Sequence, residues 1–273
     1  MRIVLLTGNQ LRHRFAAASL ASSCTLAGVV FEAKAAIVGT PKSLNDEDRL
    51  TIEQHFAERD QVEANLLGHS SSSLIDIQSK EVPHGFVNTP EVLDWIRRCE
   101  ADLIVLYGTS IIKAPMLDAF PDRIINIHLG LSPYYRGSAT NFWPLVYGEP
   151  ECVGATIHLA VAKVDAGAIL TQVRPEVGTR DRAHELGTKT LIAALEALPP
   201  VMSSYLLSET KPQSQDLSQG RVFKNKDFNA ASVRTMWRNF ESGMINEYLL
   251  YSRNRLEKYP IIEASVASLA NSN

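Results

Sequence analysis

The segment NIHLGLSPYYRG (126–137) sets two polar residues, Asn126 and His128, near the end of an otherwise apolar run at 124–129. Alternation along a strand puts both side chains on one face. Polar groups facing one way out of a hydrophobic strand must find partners or do chemistry. A third polar residue, Asp165, stands in a VDAG loop (164–167) between two further apolar runs. A carboxylate near an imidazole orients the ring and favours its protonated form. An asparagine amide can donate a hydrogen bond to a developing oxyanion. No serine or cysteine nucleophile accompanies these motifs, so the trio suits acyl transfer from a donor directly to a neutral amine. Taken alone, the pair on the strand end would more readily be read as capping neighbouring backbone.

The elements that must position these residues read as an α/β chain. An apolar strand at 3–7 ends in Gly8-Asn9, an alanine-rich helix follows over 11–22, and a second strand covers 25–31. Strand, glycine turn, helix and strand open a βαβ unit and hence a parallel sheet. A long helix is expected over 43–67, with Ser43 or Asn45 as N-cap and acidic residues in its first turn. The stretch 69–74 is a polar loop. Thr89-Pro90-Glu91 opens a helix through 98, and 102–109 is a buried strand ending in glycine. After the strand carrying Asn126 and His128 comes a short helix over 141–147. Strands at 154–161 and 168–177 are close enough in sequence to pair antiparallel, giving a mixed sheet. A long amphipathic helix over 182–205 ends or kinks at Pro199-Pro200. The polar, turn-rich stretch 211–220 reads as a linker. Beyond it lies a helical run over 230–250, in a segment too small for a core of its own that must dock on the main domain or on a partner subunit.

Composition excludes several classes. With 45% hydrophobic and 21% charged residues among 273, the chain has the make-up of an ordinary globular protein with a full core. Its net charge of −3 leaves no electrostatic footprint for nucleic acid. Cys24, Cys99 and Cys152 are far apart and odd in number, so neither a disulfide framework nor a metal site is expected. No apolar run approaches a membrane span, the N-terminal run is too short for a signal peptide, and the cytoplasm is the expected location. Motifs for nucleotide hydrolysis, zinc proteases and the serine nucleophile elbow are absent.

In order and spacing, NIH at 126–128, PYYRG at 133–137 and DAG at 165–167 resemble the folate-dependent formyltransferase family, whose members include glycinamide ribonucleotide transformylase and methionyl-tRNA formyltransferase. The resemblance covers about residues 1–205, with its motifs concentrated between 102 and 172. It implies a Rossmann-like, mostly parallel sheet with helices on both faces, the formyltransferase fold, with a short, mainly helical C-terminal addition. The division that follows is a catalytic domain at 1–210, the linker at 211–220 and an extension at 221–273 that serves dimerisation or covers the acceptor site. The site would lie where βα loops converge at the carboxyl ends of strands.

The implied formyl donor is 10-formyltetrahydrofolate, attacked by the acceptor amine. Asn126 and a protonated His128 would stabilise the formyl oxygen, and Asp165 would orient His128 and help move the amine proton. The family's folate-lining segment corresponds to Leu106, Tyr107, Gly108, Thr109, Ile111 and Ile112, with Val164 and Gly167 on the aspartate loop. Gly8, Asn9, Arg12, Tyr135, Arg136, Gly137 and His158 fall on the acceptor side. Arg136 serves either to bind a carboxylate or phosphate or to fix its loop, and His158 either contacts substrate or makes a structural hydrogen bond.

Departures from family patterns narrow the acceptor. The first loop, TGNQLRHRF, lacks the glycine-serine phosphate cradle of the glycinamide ribonucleotide enzymes. Leu-Ser-Pro stands at 131–133 where the methionyl-tRNA enzymes have Leu-Leu-Pro, and the C-terminal part reads as helical rather than as their barrel. The deformylases carry an N-terminal regulatory domain, whereas this chain opens on its first strand. What remains resembles the enzymes that N-formylate nucleotide-linked amino sugars. Phe142, Trp143 and Tyr147 either line an acceptor cleft or pack in the core. The partners expected are a small-molecule amine and a second copy of the chain in a homodimer, with no nucleic acid and no membrane. Other small amines, hydrolysis of the donor, and folate binding without turnover are the competing readings.

Overall fold

Strand β1 (Arg2–Gly8) is buried on both faces from Ile3 onward, as a central parallel strand must be. It lies between β2 (Thr25–Glu32) and β4 (Leu103–Tyr107), both parallel to it. The computed structural model describes residues 1–34, 45–68 and 77–263. Ser43 and the loop at 69–74 lie outside the described residues. With β3 (Ser79–Val82), β5 (Ile124–His128), β7 (Ala155–Leu159) and β8 (Ile169–Val173), these strands form one sheet in the order β3-β2-β1-β4-β5-β7-β8. The first five are parallel, and β7 and β8 run antiparallel, giving the expected mixed sheet.

Helices cover both faces. Helix α1 (Leu11–Ser23) and α6 (Ala183–Leu206) close a core around Ile3, Leu5, Val105, Ile125 and Ile127, which the end of α2 (Asp46–Leu67) joins through Leu67. Helix α3 (Pro90–Arg98) and α4 (Ala114–Ala119) close the other around Val4, Leu6, Ile104, Leu106 and Ile124. Asn45 caps α2 by accepting from the Asp48 N–H at 2.8 Å. Helix α6 runs on through Pro199 and Pro200 rather than ending there. Its buried face (Leu191, Leu195, Leu198 and Met202) supplies the stability that the missing N–H groups forgo.

A third core sits beside the sheet. It joins Tyr135 of the short strand β6 (Tyr135–Gly137) and Trp143 and Leu145 of α5 (Trp143–Val146) to Val233, Met236, Met244 and Ile245. The last four belong to α7 (Ala230–Glu241) and α8 (Met244–Leu256). The helical run expected over 230–250 is thus two helices, broken at Gly243, whose φ of +88° no helix accommodates. Arg234 anchors α7 to α2 through Asp48 at 2.7 Å. The stretch 211–220 connects α6 to α7 as a strap laid on the sheet edge, not as a solvated tether. Gln213 pairs with Ile169 in both directions, at 2.7 and 2.8 Å, and β9 (Arg221–Phe223) lies parallel to β6. Among the described residues no helix is long and apolar enough to cross a membrane.

Candidate active site

In β5, Ile125 and Ile127 point into the α1/α6 core, which turns Asn126 and His128 to the opposite face with Ile124. The neighbouring strand β7 is antiparallel and places His158 directly opposite Asn126 and Thr156 opposite His128. The Asn126 Nδ2 group donates to His158 Nε2 at 3.0 Å, while His158 Nδ1 donates to the Leu159 carbonyl at 2.8 Å. Because β7 is antiparallel, the loop leaving it begins beside the amino end of β5. It folds back across the sheet face to bring Asp165 Oδ1 to 3.3 Å from His128 Nδ1 and 3.8 Å from His158 Nε2. The cluster therefore lies over a face of β5 near its end, and not beyond the strand ends alone.

Asp165 adopts a left-handed φ of +50°, uncommon for a residue with a side chain. Its second oxygen accepts from the Gly137 N–H at 3.1 Å. Burial alone would raise the carboxyl pKa, but His128, His158 and the Gly137 N–H together hold it below the usual carboxylate value. His128 is buried, and its Nε2 lies 3.3 Å from the Tyr135 carbonyl. Both ring nitrogens thus face oxygen acceptors, and a neutral ring satisfies one at a time. Burial lowers the ring's pKa below the ordinary imidazole value, with the Asp165 carboxylate opposing the fall. Burial thus works against the protonated ring that the resemblance implies, and Asp165 works for it. Asp165 stands ready to stabilise the second proton when charge develops nearby.

The turn after β5 is pinned by Thr156, whose hydroxyl donates to the Gly130 carbonyl at 2.7 Å and accepts from the Ser132 N–H at 3.0 Å. Gln172 adds a bond to the Ser132 carbonyl at 2.6 Å. The Ser132–Pro133 peptide is cis. No motif marked Thr156 or Gln172, although both stand at alternate positions on strands already flanking the aspartate loop.

The remaining expected site residues divide sharply. Tyr135 is fully buried, and its hydroxyl donates to Glu149 and accepts from Arg221, so its side chain does not reach a substrate. Arg136 is 8% exposed, and its guanidinium donates to the strap carbonyls of Leu217 at 3.1 Å and Gln219 at 3.4 Å. It is spent on fixing the loop. Arg12 is likewise engaged, by Glu63 at 2.7 Å and by Gln10. Asn9 is exposed, and Gly8 lies buried against His13 and Lys34. Leu106, Tyr107 and Ile112 point into the cores, because a central strand has no free face there, and only their backbone remains for a ligand. Gly108 and Thr109 are partly open, and Ile111 is 63% and Val164 48% exposed. Gly167 is buried, and its carbonyl accepts from Gln215 at 2.6 Å. Phe142 and Trp143 pack in the third core, whereas Tyr147 is half exposed under the Arg221 guanidinium. Glu32, unmarked by any motif, fixes the loop after β4 by accepting from the Ser110 N–H at 2.6 Å and its hydroxyl at 2.7 Å. Among the described residues there is no cluster of three metal-ligating side chains.

Comparison with known proteins adds three observations. The sequence profile described as formyl transferase matches residues 40–202. Methionyl-tRNA formyltransferase of Solibacter usitatus (strain Ellin6076) is 31% identical over 137 residues, which are 50% of this chain and 44% of the relative. That of Trichlorobacter lovleyi (strain ATCC BAA-1151 / DSM 17278 / SZ) is 34% identical over 142 residues, 49% and 42% of the two chains. The match thus spans less than half the length of these curated relatives. Among solved structures, phosphoribosylglycinamide formyltransferase from Anaplasma phagocytophilum superposes with a TM-score of 0.55 at 19% identity, over 82% of this chain and 97% of that one. A sugar N-formyltransferase from Shewanella sp FDAARGOS_354 gives 0.54 at 18% identity, over 84% and 78%. At these identities the structural likeness is one of fold.

Proposed function

Since the chain belongs to the formyl transferase family, we propose that it is a folate-dependent N-formyltransferase acting on the amine of a small acceptor, with a nucleotide-linked amino sugar as the favoured acceptor class. The observation that carries the reading is the convergence of Asn126, His128 and Asp165 over one face of β5, each held by a separate partner. 10-Formyltetrahydrofolate, when bound, supplies the formyl group. Ile111 and Val164, two exposed apolar side chains on the loops after β4 and β7, are the residues suited to meet its flat ring system.

The chain's own residues then divide the work. The Asn126 amide offers a donor to negative charge growing on the formyl oxygen, and its orientation is fixed in advance by His158. The Asp165 carboxylate, 3.3 Å from His128 Nδ1, stabilises the protonated His128 ring against the cost of its burial as that charge appears. The proton lost by the attacking amine passes toward the Asp165–His128 pair and from there to the donor nitrogen, whose bond to the formyl carbon breaks as tetrahydrofolate leaves. Burial of the cluster keeps bulk water from competing for these bonds.

The amino-sugar assignment is supported by the departures at the first loop and at 131–133, and by a helical C-terminal part packed on β6 and α5 in the third core. The test is conversion of 10-formyltetrahydrofolate to tetrahydrofolate, followed by absorbance, with and without a panel of amines. Conversion only with an amino-sugar nucleotide bears out donor and acceptor together, and conversion with another amine moves the acceptor class. Release of formate without any amine replaces the transferase with a hydrolase. Binding without conversion under any condition leaves a folate-binding protein, and no binding at all overturns the reading.

A further inference from the structure

The strap between α6 and α7 reaches the polar cluster through one side chain. Gln215 Nε2 donates to the Asp165 carbonyl at 3.1 Å and to the Gly167 carbonyl at 2.6 Å. The other end of the same amide, Oε1, is buried and has no hydrogen-bond partner among the described residues. Both neighbours within reach of the amide are acceptors, so only its NH2 group can face them, and the acceptor is left unsatisfied. A local rule of polar pairing is broken here in order to tie down two carbonyls of the loop that carries Asp165.

The rest of the strap grips the neighbouring segment 134–137. Leu217 and Gln219 carbonyls hold Arg136, the Arg221 N–H donates to the Tyr134 carbonyl at 2.8 Å, and β9 pairs with β6 as far as Gly137. Gly137 N–H in turn donates to the Asp165 carboxylate. Backbone and carboxylate of Asp165 are therefore both fixed by residues 215–223 or by what they hold, against a left-handed φ that the residue would not choose by itself.

We infer that Gln215 is a positioning residue, which holds the Asp165 loop in the conformation that keeps the carboxylate on His128 Nδ1. The inference deepens the functional reading above and rests on it for its kinetic arm alone.

The experiment compares three variants of the full chain for kcat, KM for the donor, melting temperature and the NMR titration midpoint of the His128 ring. Gln215→Met keeps the volume and removes both donors. It should lower kcat about tenfold with KM within about twofold, and lower the His128 midpoint by about half a pH unit as the carboxylate drifts away. Gln215→Lys returns N–H donors on a side chain of similar length and should recover most of the lost kcat. A packing role predicts the reverse ranking, so Met performing as well as Lys overturns the inference. Gln213→Ala should match the wild type, since the Gln213 pairing to Ile169 is through backbone alone. If the wild type transfers a formyl group to no amine, the functional reading falls. The His128 midpoint still decides the positioning role, with an unchanged midpoint in Gln215→Met refuting it. Should Gln215→Met not fold, the same comparison is made with Gln215→Leu.

Discussion

Asn126 and His158 face each other in register across antiparallel strands, with 3.0 Å between the amide nitrogen and the imidazole Nε2. The amide cannot rotate without breaking that bond, so its remaining N–H has one direction left. Asn126→Ala should lower turnover a few hundredfold, the ~3 kcal/mol typical of one oxyanion donor. His158→Leu should cost about tenfold, the order of one neutral hydrogen bond. The double variant should be no slower than Asn126→Ala alone, because His158 acts through Asn126. Steady-state kinetics on the four proteins checks this, and additive losses would separate the two roles.

Asp165 accepts from Gly137 with one oxygen and faces His128 with the other. Asp165→Asn keeps the shape but can accept at only one of those positions, and it removes the charge that favours the second proton on His128. We expect a loss on the order of a thousandfold in kcat, as when a histidine loses its orienting carboxylate elsewhere. An unchanged circular dichroism spectrum with near-normal kcat would argue that the pair is structural.

The His55 and His184 rings lie 4.5 Å apart, tilted by 55°, with Phe56, Phe142 and Phe228 around His55, and one nitrogen of each is buried without a hydrogen-bond partner among the described residues. Burial, then the charges of each other and of Arg59, lowers His55 to about 3. Burial and Arg59 lower His184 to about 4. Because the folded-state values lie below the unfolded value near 6.5, the unfolded chain binds more protons in acid. Stability is therefore full above about pH 6.5 and declines as pH falls toward 4, by up to ~1.4 kcal/mol per pH unit for each ring. Melting temperature against pH should show this fall. In His55→Phe the fall should be shallower, and an equal slope would exclude the pair as its source.

At Gly137 a side chain is excluded twice: φ is +94°, and a Cβ would lie 2.1 Å from the Phe223 carbonyl oxygen. Gly137→Ala must push β9 off β6 or refold the turn, at a cost of about 2–4 kcal/mol. Urea unfolding would register it. Since the Gly137 N–H also holds Asp165, kcat should fall with it, and intact stability would mean that the strand pair can slide apart freely.

The cluster was legible because its residues stand on ordinary signals. In residues 124–129 alternation sets Asn126 and His128 on one face of an apolar strand, and Asp165 sits between two apolar runs close enough to pair antiparallel. What escaped works through groups that leave no apolar period. Residues 211–220 read as a linker because they hold the sheet with carbonyls, N–H groups and one glutamine amide. Strand β3 buries only Val82 fully and so carries no hydrophobic pattern. The substrate contact assigned to Tyr135 by motif position gave way to burial, and of the two readings of Arg136 the bonds to the strap favour the fixing of its loop; sequence spacing reports neither. Helix α6 passed through two prolines because tertiary packing outweighs local propensity.

The strap has a consequence for the order in which the molecule can be made. Asn126, His128 and Asp165 all leave the ribosome long before Gln215, β9 and the tail residue Ile262, whose backbone accepts from the Gln172 N–H at 2.6 Å. A nascent chain that has emerged to residue 206 holds every residue of the polar cluster and the Gly137 N–H bond to Asp165, but none of the strap's bonds to the carbonyls of the aspartate loop. The full set of bonds around Asp165 is thereby deferred until the strap has emerged.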